Sequence, residues 1–289
     1  MSVRRLDHLV LPVATLAGSR DFFEALGFAV APDAVHPFGT ANACVFFADG
    51  TYLEPLAVHD ANLCRDEAVA GNVFVGRDRA FRARRGEPGF SGIAFESQGV
   101  EADHAAFAAA GLADGEIFQF SRVFVAAGAE KTLTFRLAFA GDRRVPDLFF
   151  FACQAMVPKG DRSALTKHAN GVTGTARLVL SEPTPDAFAA LLQDVTGAGE
   201  ATATAHGVSV GLGNGLIEVL DVAGMAARYG RGRDAERGLR FEGIVLRVGD
   251  LGAVRGIAEM AGLSSRTIDD RLVVDLIGSQ NGFIAFEAE

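Results

Sequence analysis

The sequence repeats one order of predicted elements four times along its 289 residues. Each copy has an apolar strand, then a helix whose apolar residues follow the helical period, then two or three further strands. The opening strands of the four copies are LDHLVLPV, GFSGIAFES, TARLVLSEP and FEGIVLRVGD. Because a repeat of this kind decides the architecture, the chain is predicted to consist of four β-α-β-β-β modules.

A single module of this kind has unpaired sheet edges and one sheet face that must be covered. The modules are therefore expected to pair into two barrel-like mixed sheets, each enclosing a cavity, which is an α+β fold. The polar, aperiodic stretch at residues 156–174 is the expected connection. We predict a first barrel at residues 1–160 and a second at residues 161–289. A generic α+β chain without true repeats is the alternative interpretation.

Charge and hydropathy limit the partners of such a chain. The formal net charge of −9 and the pI near 5.2 give a field that repels phosphate backbones and anionic lipids, so neither nucleic acid nor membrane is an expected partner. No apolar stretch approaches the roughly 20 residues that span a bilayer. We expect a cytoplasmic protein, monomeric or homodimeric. The arginine-rich stretch at residues 77–85 is expected to be a solvated loop or an anion-binding edge.

One carboxylate stands out in the first module. Residues 36–58 read HPFGTANACVFFADGTYLEPLAV and place Glu54 in an otherwise apolar predicted strand. Strand alternation puts Glu54 on the same face as Tyr52, and it puts His8 of the opening strand on the same face as Val10. Both polar groups can therefore point into one cavity.

The order of several short motifs resembles a known family. The motifs are Asp7-His8, His36-Pro37, Gly39-Thr40-Ala41-Asn42, Tyr52-Leu53-Glu54, Ser121-Arg122 and His168-Ala169-Asn170-Gly171. Together with the tandem modules, they resemble the vicinal oxygen chelate superfamily of glyoxalase I, bleomycin-resistance proteins and extradiol dioxygenases. The closer similarity is to the glyoxalase-like domain proteins, over about the first 180 residues.

The resemblance implies a divalent metal site. Catalytic members of the superfamily bind the ion through His and Glu side chains on the first and last strands of paired modules, and His8 and Glu54 fall on those positions. Such ligands suit zinc, nickel, manganese or iron(II). His36, His168 or water would complete the site. The alternative is a site without metal, in which His8 and Glu54 bond to substrate or pair with an arginine.

The other modules depart from the catalytic pattern. In the second module, Gly92 replaces the second histidine, and Phe149 or Phe150 stands opposite Glu54. The third module has Glu218 but carries Arg177 in place of histidine, and the fourth has Gly243 and Ala285. The full four-ligand site cannot be assembled in either barrel. Arg177 and Glu218 are expected to form a structural ion pair.

Further side chains are candidates for the site of the first barrel. The predicted catalytic residues are Glu54, His36 and Arg122, and the predicted substrate-binding residues are Asn42, Tyr52, Arg136 and His168. Arg122 and Arg136 interrupt apolar strands, so each either grips a carboxylate or enolate, or faces water at an edge. For His168 the alternative is a structural role at the joint between the barrels. The abundant phenylalanines either fill the core or form an apolar pocket wall.

The predicted function follows from the resemblance and from this site. We expect a small-molecule enzyme with lyase, isomerase or dioxygenase chemistry on a substrate with adjacent oxygens. The alternatives are a non-catalytic protein that binds or sequesters a small molecule, and a structural protein with a filled cavity. No nucleotide-binding glycine loop and no hydrolase nucleophile motif is present in the sequence.

Overall fold

The computed structural model describes residues 2–126, 129–157, 162–276 and 281–289. Within these ranges, strands from two parts of the chain form two sheets. The first sheet contains β1 (Leu6–Pro12), β2 (Ala34–Val35), β3 (Thr40–Asn42), β4 (Val45–Phe46), β5 (Tyr52–Val58), β6 (Gly92–Glu96), β7 (Phe118–Ala126), β8 (Ala129–Ala140) and β9 (Phe149–Ala155). The second contains β10 (Val172–Ser181), β11 (Thr202–Thr204), β12 (Gly207–Leu212), β13 (Gly215–Leu220), β14 (Arg240–Val248), β15 (Ser265–Ile268), β16 (Arg271–Asp275) and β17 (Phe283–Ala288).

The helices lie between these strands. They are α1 (Leu16–Ala25), α2 (Ala61–Val69), α3 (Val73–Arg85), α4 (Val100–Ala109), α5 (Ala189–Thr196), α6 (Val222–Tyr229) and α7 (Leu251–Met260), with a 3₁₀ turn at Pro185–Phe188. Thr15, Asp60 and Asn72 cap α1, α2 and α3 by accepting backbone N–H groups of the first turn. The predicted loop at residues 77–85 is wrong, because this arginine-rich stretch is the C-terminal part of α3.

Each module is built in the same way. Its first strand pairs in parallel with its last, as β1 does with β5, β6 with β9, β10 with β13 and β14 with β17. The first strands of two modules then pair antiparallel at the centre of a sheet, β1 with β6 and β10 with β14. The predicted α+β fold of two mixed sheets made from paired modules is confirmed.

The two sheets share one hydrophobic core, to which both halves of the chain contribute buried side chains. Phe90 stacks on Phe241 with ring centroids 4.7 Å apart. Asp49 adds a polar link, because its Oδ2 accepts the Thr175 backbone N–H at 2.8 Å and an Arg247 N–H at 3.0 Å. Since one face of the first sheet meets this core and the other lines its own interior, all seven residues of β1 are buried.

The connection between the halves runs from Ala155 to Val172. The predicted boundary between residues 160 and 161 lies outside the described residues and stays a prediction. None of the helices in the described part of the chain has the length and apolar content needed to cross a membrane.

Candidate functional site

A pocket lies on the face of the first sheet that turns away from the shared core. Its cavity has a volume of about 40 Å³, enough for a few water molecules or a small ligand group. The polar lining consists of His8, His36, Asn42, Tyr52, Glu54, Arg122 and Arg162. The aromatic wall consists of Phe38, Phe46, Phe74, Phe120, Phe135 and Phe151. Phenylalanine therefore serves both as core and as pocket wall.

A bulge in β1 brings Asp7 to His8. The pairing with β6 shifts register between Leu6 and His8, so Asp7 is an extra residue in the strand. Its carboxylate Oδ2 lies 2.8 Å from Nδ1 of His8, and both side chains are about 95% buried. The imidazole also stacks on Tyr52 at a centroid distance of 4.5 Å. His8 is thus fixed with its other nitrogen, Nε2, 3.5 Å from Oε2 of Glu54.

Asn42 connects the remaining polar groups of the pocket. Its amide Nδ2 donates to Oε1 of Glu54 at 2.6 Å and lies 3.3 Å from Nε2 of His36. Its Oδ1 accepts a long hydrogen bond of 3.4 Å from Arg122. His36 is held on its other side by Thr40, whose Oγ1 lies 2.9 Å from Nδ1. One buried amide therefore positions a carboxylate, an imidazole and a guanidinium.

Burial controls the protonation of the groups around Asn42. Desolvation lowers the pKa of His36 to about 4, although Glu54 opposes the shift; Arg122 adds to the lowering. His36 is therefore neutral at pH 7. Because the Asn42 amide nitrogen can only donate, Nε2 of His36 accepts, and Nδ1 carries the proton and donates to Thr40. Burial also raises the pKa of the Cys44 thiol to about 12, so this pocket cysteine is not a thiolate.

The structure does not bring two of the predicted substrate-binding residues to the pocket. Arg136 lies between Phe135 and Leu137 in β8, so strand alternation turns it to the opposite face, where it pairs with Glu101 of α4. The substrate-binding role predicted for Arg136 does not fit this placement.

His168 occupies the joint between the two halves. Its Nδ1 accepts the Ala29 backbone N–H at 3.0 Å, and its Nε2 donates to the Phe46 carbonyl at 2.9 Å. Both ring nitrogens are engaged by backbone, so His168 has no nitrogen left for a metal or a substrate. This placement fits the alternative structural role of His168 at the joint between the barrels, and it does not fit a role in substrate binding.

Sequence reasoning missed Arg162 and misplaced the counterpart of Glu54 in the second module. Arg162 reaches the pocket from the connection between the halves, with its guanidinium carbon 4.0 Å from the Phe46 ring centroid. The aperiodic sequence around it gave no signal. Phe151 is the counterpart of Glu54 instead of Phe149 or Phe150, because Gly92 is in register with Phe149 as His8 is with Tyr52.

The second module has no room for a second histidine. A Cβ at Gly92 would lie 3.0 Å from side-chain atoms of both Phe149 and Val10. This glycine packs the two module centres against each other. The pocket therefore takes its potential metal ligands from the first module, together with Cys153 of β9, whose sulfur lies within 4.8 Å of ligand atoms of Asp7 and His8.

The equivalent position in the second half is filled. Glu218 has the register of Glu54, since Val179 pairs with Glu218 as Val10 pairs with Glu54. Yet Glu218 accepts hydrogen bonds from the Tyr229 hydroxyl and from Arg228 of α6. The expected pair of Arg177 with Glu218 is wrong, because the Arg177 guanidinium bonds instead to Glu287 at 2.7 Å.

Burial of neutral His36 should make folding acid-sensitive. The unfolded state gains a proton on His36 near pH 6.5, whereas the folded state gains it only near pH 4. Stability from this group is therefore complete above about pH 6.5 and is lost as the pH falls towards 4, by about 3 kcal/mol. Urea unfolding between neutral pH and pH 4.5 should show a loss that His36→Gln lacks and that exposed His59→Gln retains. Parallel pH profiles of parent and His36→Gln would contradict this assignment.

Two sheets of paired modules, with an inward-facing His and Glu on the first and last strands of one module, define a protein with the vicinal oxygen chelate fold. The chain belongs to the glyoxalase-like domain family, whose model matches residues 6–196. No curated protein sequence matches the chain.

Solved structures of similar fold cover the whole chain. A hypothetical protein from Staphylococcus aureus has a TM-score of 0.69 at 12% identity, over 99% of this chain and 100% of that chain. A mutant of 4-hydroxymandelate synthase from Streptomyces coelicolor has a TM-score of 0.62 at 13% identity, over 100% and 93% of the two chains. A Mn(II)-bound glyoxalase from Novosphingobium aromaticivorans has a TM-score of 0.57 at 12% identity, over 99% and 82%.

Proposed function

We propose that the chain is an enzyme acting on a small molecule with adjacent oxygens, by lyase, isomerase or dioxygenase chemistry, in the pocket of the first half. One observation carries the proposal: His8 lies between two carboxylates inside a buried pocket. Nδ1 faces Asp7 at 2.8 Å and Nε2 faces Glu54 at 3.5 Å. Since ionised carboxylates only accept, the space between Nε2 and Glu54 calls for a proton or a metal cation.

His8 and Glu54 fit a divalent metal. Donor atoms about 2.0–2.2 Å from one ion lie roughly 3–4 Å from each other, and the Nε2 to Oε2 distance of 3.5 Å falls in this range. The Asp7 carboxylate lies on the far nitrogen, where a metal-binding histidine commonly has a partner that fixes the orientation of its ring. A bound ion would polarise the adjacent oxygens of a substrate. The Mn(II)-bound glyoxalase among the structural neighbours supports this assignment.

The other side chains would orient the substrate and support the ligands. Asn42 holds one oxygen of Glu54 at 2.6 Å, which leaves the other directed at His8. His36, whose pKa is lowered to about 4, is too weak a base for neutral pH, and it accepts from Asn42. We assign His36 a positioning role. Arg122 supplies positive charge for an oxyanion of the substrate.

The second candidate is a protein that binds a small molecule without turnover. The small cavity of about 40 Å³ and the aromatic wall favour it. So does the absence of a second histidine at Gly92. This alternative predicts ligand binding that needs no metal.

Metal binding tests the proposal directly. The full-length chain, stripped with a chelator, should take up close to one equivalent of zinc, nickel, manganese or iron(II) in equilibrium dialysis with elemental analysis. His8→Ala and Glu54→Gln should each lower the affinity at least tenfold, since each removes one ligand. Glu218→Gln is the matched control, because it changes the carboxylate at the same register in the filled half.

A further variant decides between two donor sets. Asp7, His8 and Cys153 also place one potential ligand atom each within 4.8 Å of one another. Cys153→Ser should keep the metal if His8 and Glu54 hold it, and should lose it if the ion sits beside Asp7. A chain that binds none of the four metals, with melting curves showing that it is folded, would refute the metal proposal and favour the binding protein.

A further inference from the structure

Two arginines of the pocket, Arg122 and Arg162, form no ion pair with any carboxylate in the described part of the chain, although both line the cavity. Most arginines of the described chain do pair in this way, as Arg136 does with Glu101. The Nε of Arg122 is buried and has no hydrogen-bond partner among the described residues.

An unsatisfied guanidinium of this kind is costly. A buried donor without a partner loses solvation that nothing restores. The hydrogen bond of Arg122 to Oδ1 of Asn42, the one that it makes within residues 2–126, 129–157, 162–276 and 281–289, is long at 3.4 Å. Its guanidinium also lies 5.7 Å from the centroid of Phe135, so it is held over an aromatic face. The group is therefore in place for an acceptor that a ligand would bring.

We propose that the pocket selects a flat, aromatic monocarboxylate, whose carboxylate is bound by Arg122 and Arg162. This inference rests on the proposed function in taking the same pocket as the site, and it adds the chemical class of the ligand. Guanidinium groups bind a carboxylate with paired N–H donors, which gives both affinity and orientation.

The charge of the pocket favours a single negative charge on the ligand. Arg122 and Arg162 contribute two positive charges, which face the Glu54 carboxylate in the lining and the Asp7 carboxylate behind His8. A monocarboxylate adds one negative charge beside the two guanidinium groups. A phosphate dianion would add a second negative charge close to these buried carboxylates, in a desolvated space.

The aromatic lining of the pocket favours a ring. Phe120 and Phe135, which both line the pocket, stack on each other with centroids 5.3 Å apart. Arg162 lies over the rings of Phe46 and Tyr52, at 4.0 and 5.6 Å. A cavity of about 40 Å³ takes the carboxylate rather than the whole ligand, so the ring would lie against these aromatic side chains, where a flat ring packs better than a puckered one.

Four probes of matched size test the class of ligand: benzoate, the neutral isostere benzamide, the non-planar cyclohexanecarboxylate, and phenyl phosphate. Ligand-observed NMR titrations would use the full-length chain in EDTA, so that no metal contributes to binding. We expect benzoate to bind with a dissociation constant on the order of 1 mM and the other three at least tenfold more weakly.

Arginine variants then assign the contact. Arg122→Gln and Arg162→Gln should each weaken benzoate binding about tenfold or more, because each removes a charge-assisted donor. Arg136→Gln is the matched control, since it removes an arginine of the neighbouring strand that faces away from the pocket. Melting curves would show that all three variants are folded.

Three results would overturn the inference: equal binding of benzoate and benzamide, stronger binding of phenyl phosphate, or an equal loss with Arg136→Gln. Metal uptake is measured separately, so the two proposals fail independently. Arginine-dependent benzoate binding by a chain that takes up no metal would keep the ligand class and reject the metal. Metal uptake by a chain whose benzoate binding does not depend on Arg122 or Arg162 would keep the metal and reject the ligand class.

Discussion

Replacing Asn42 by leucine should destabilise the protein by about 3–4 kcal/mol, because each buried partner left unsatisfied costs about 1–3 kcal/mol and a charged partner more. Leucine has nearly the same volume but neither donates nor accepts. It would leave Glu54 Oε1, His36 Nε2 and the Arg122 guanidinium without the amide that they now share. Water that enters the cavity would satisfy some of these groups, so the total destabilisation is smaller than the sum of the separate costs. Urea unfolding at neutral pH measures the effect.

Asn62→Leu is the matched control for this change. Asn62 lies on the exposed surface of α2, where it bonds to Arg65 at 3.1 Å. Its replacement should change the free energy of unfolding by less than about 0.5 kcal/mol. A loss below about 1 kcal/mol for Asn42→Leu would mean that the pocket groups do not depend on the amide.

Replacing Gly39 by alanine should cost about 3 kcal/mol and should also disturb the pocket. Gly39 has a φ of +93°, a conformation that only glycine adopts without strain. In addition, a Cβ there would lie 2.8 Å from the Asp60 carbonyl oxygen and 2.9 Å from the Cys64 backbone nitrogen. These backbone atoms cannot turn aside, so the loop that carries His36 must move. The change is measured by urea unfolding and by benzoate titration.

Gly50 allows the cost of backbone strain to be separated from the cost of steric contact. It has a similar φ of +90°, but a Cβ there would meet nothing within 4 Å. Gly50→Ala should therefore cost only the strain of the backbone, about 1 kcal/mol, and should leave ligand binding unchanged. Equal losses for the two variants would show that contact with α2 is unimportant and that strain alone accounts for the effect.

The sequence was sufficient for the fold because the repeat is local. Each module can be recognised from an apolar strand, a helix with a cap and a hairpin that follow one another in the sequence. Because the free sheet edges of the modules must be paired, few architectures are possible. It was insufficient for α2 and α3, since residues 61–85 are rich in charged side chains and lack a clear apolar period. Helix α3 buries Phe74, Val75 and Phe81 but is otherwise polar.

The candidate site was predictable where alternation alone decides which way a side chain points. Arg122 lies on the same face of β7 as Phe118 and Phe120, whereas Arg136 lies on the opposite face of β8 from Phe135 and Leu137. Counting alternate residues along each strand would have shown that only Arg122 faces the pocket. The bulge at Asp7 breaks alternation and leaves no mark in the sequence. The contacts of Arg162 and His168 join distant parts of the chain, which no local pattern encodes.

The two halves of the chain differ at the register position that carries the buried carboxylate. In the second half, the Tyr229 hydroxyl and Arg228 satisfy Glu218, the carboxylate in the register of Glu54. The first half instead has a pocket there, which Arg122 and Arg162 help to line. The second half thus satisfies this carboxylate with its own side chains, whereas the first half leaves a pocket that a ligand can enter. Because both halves contribute to one hydrophobic core, packing in the second half also stabilises the half that carries the pocket.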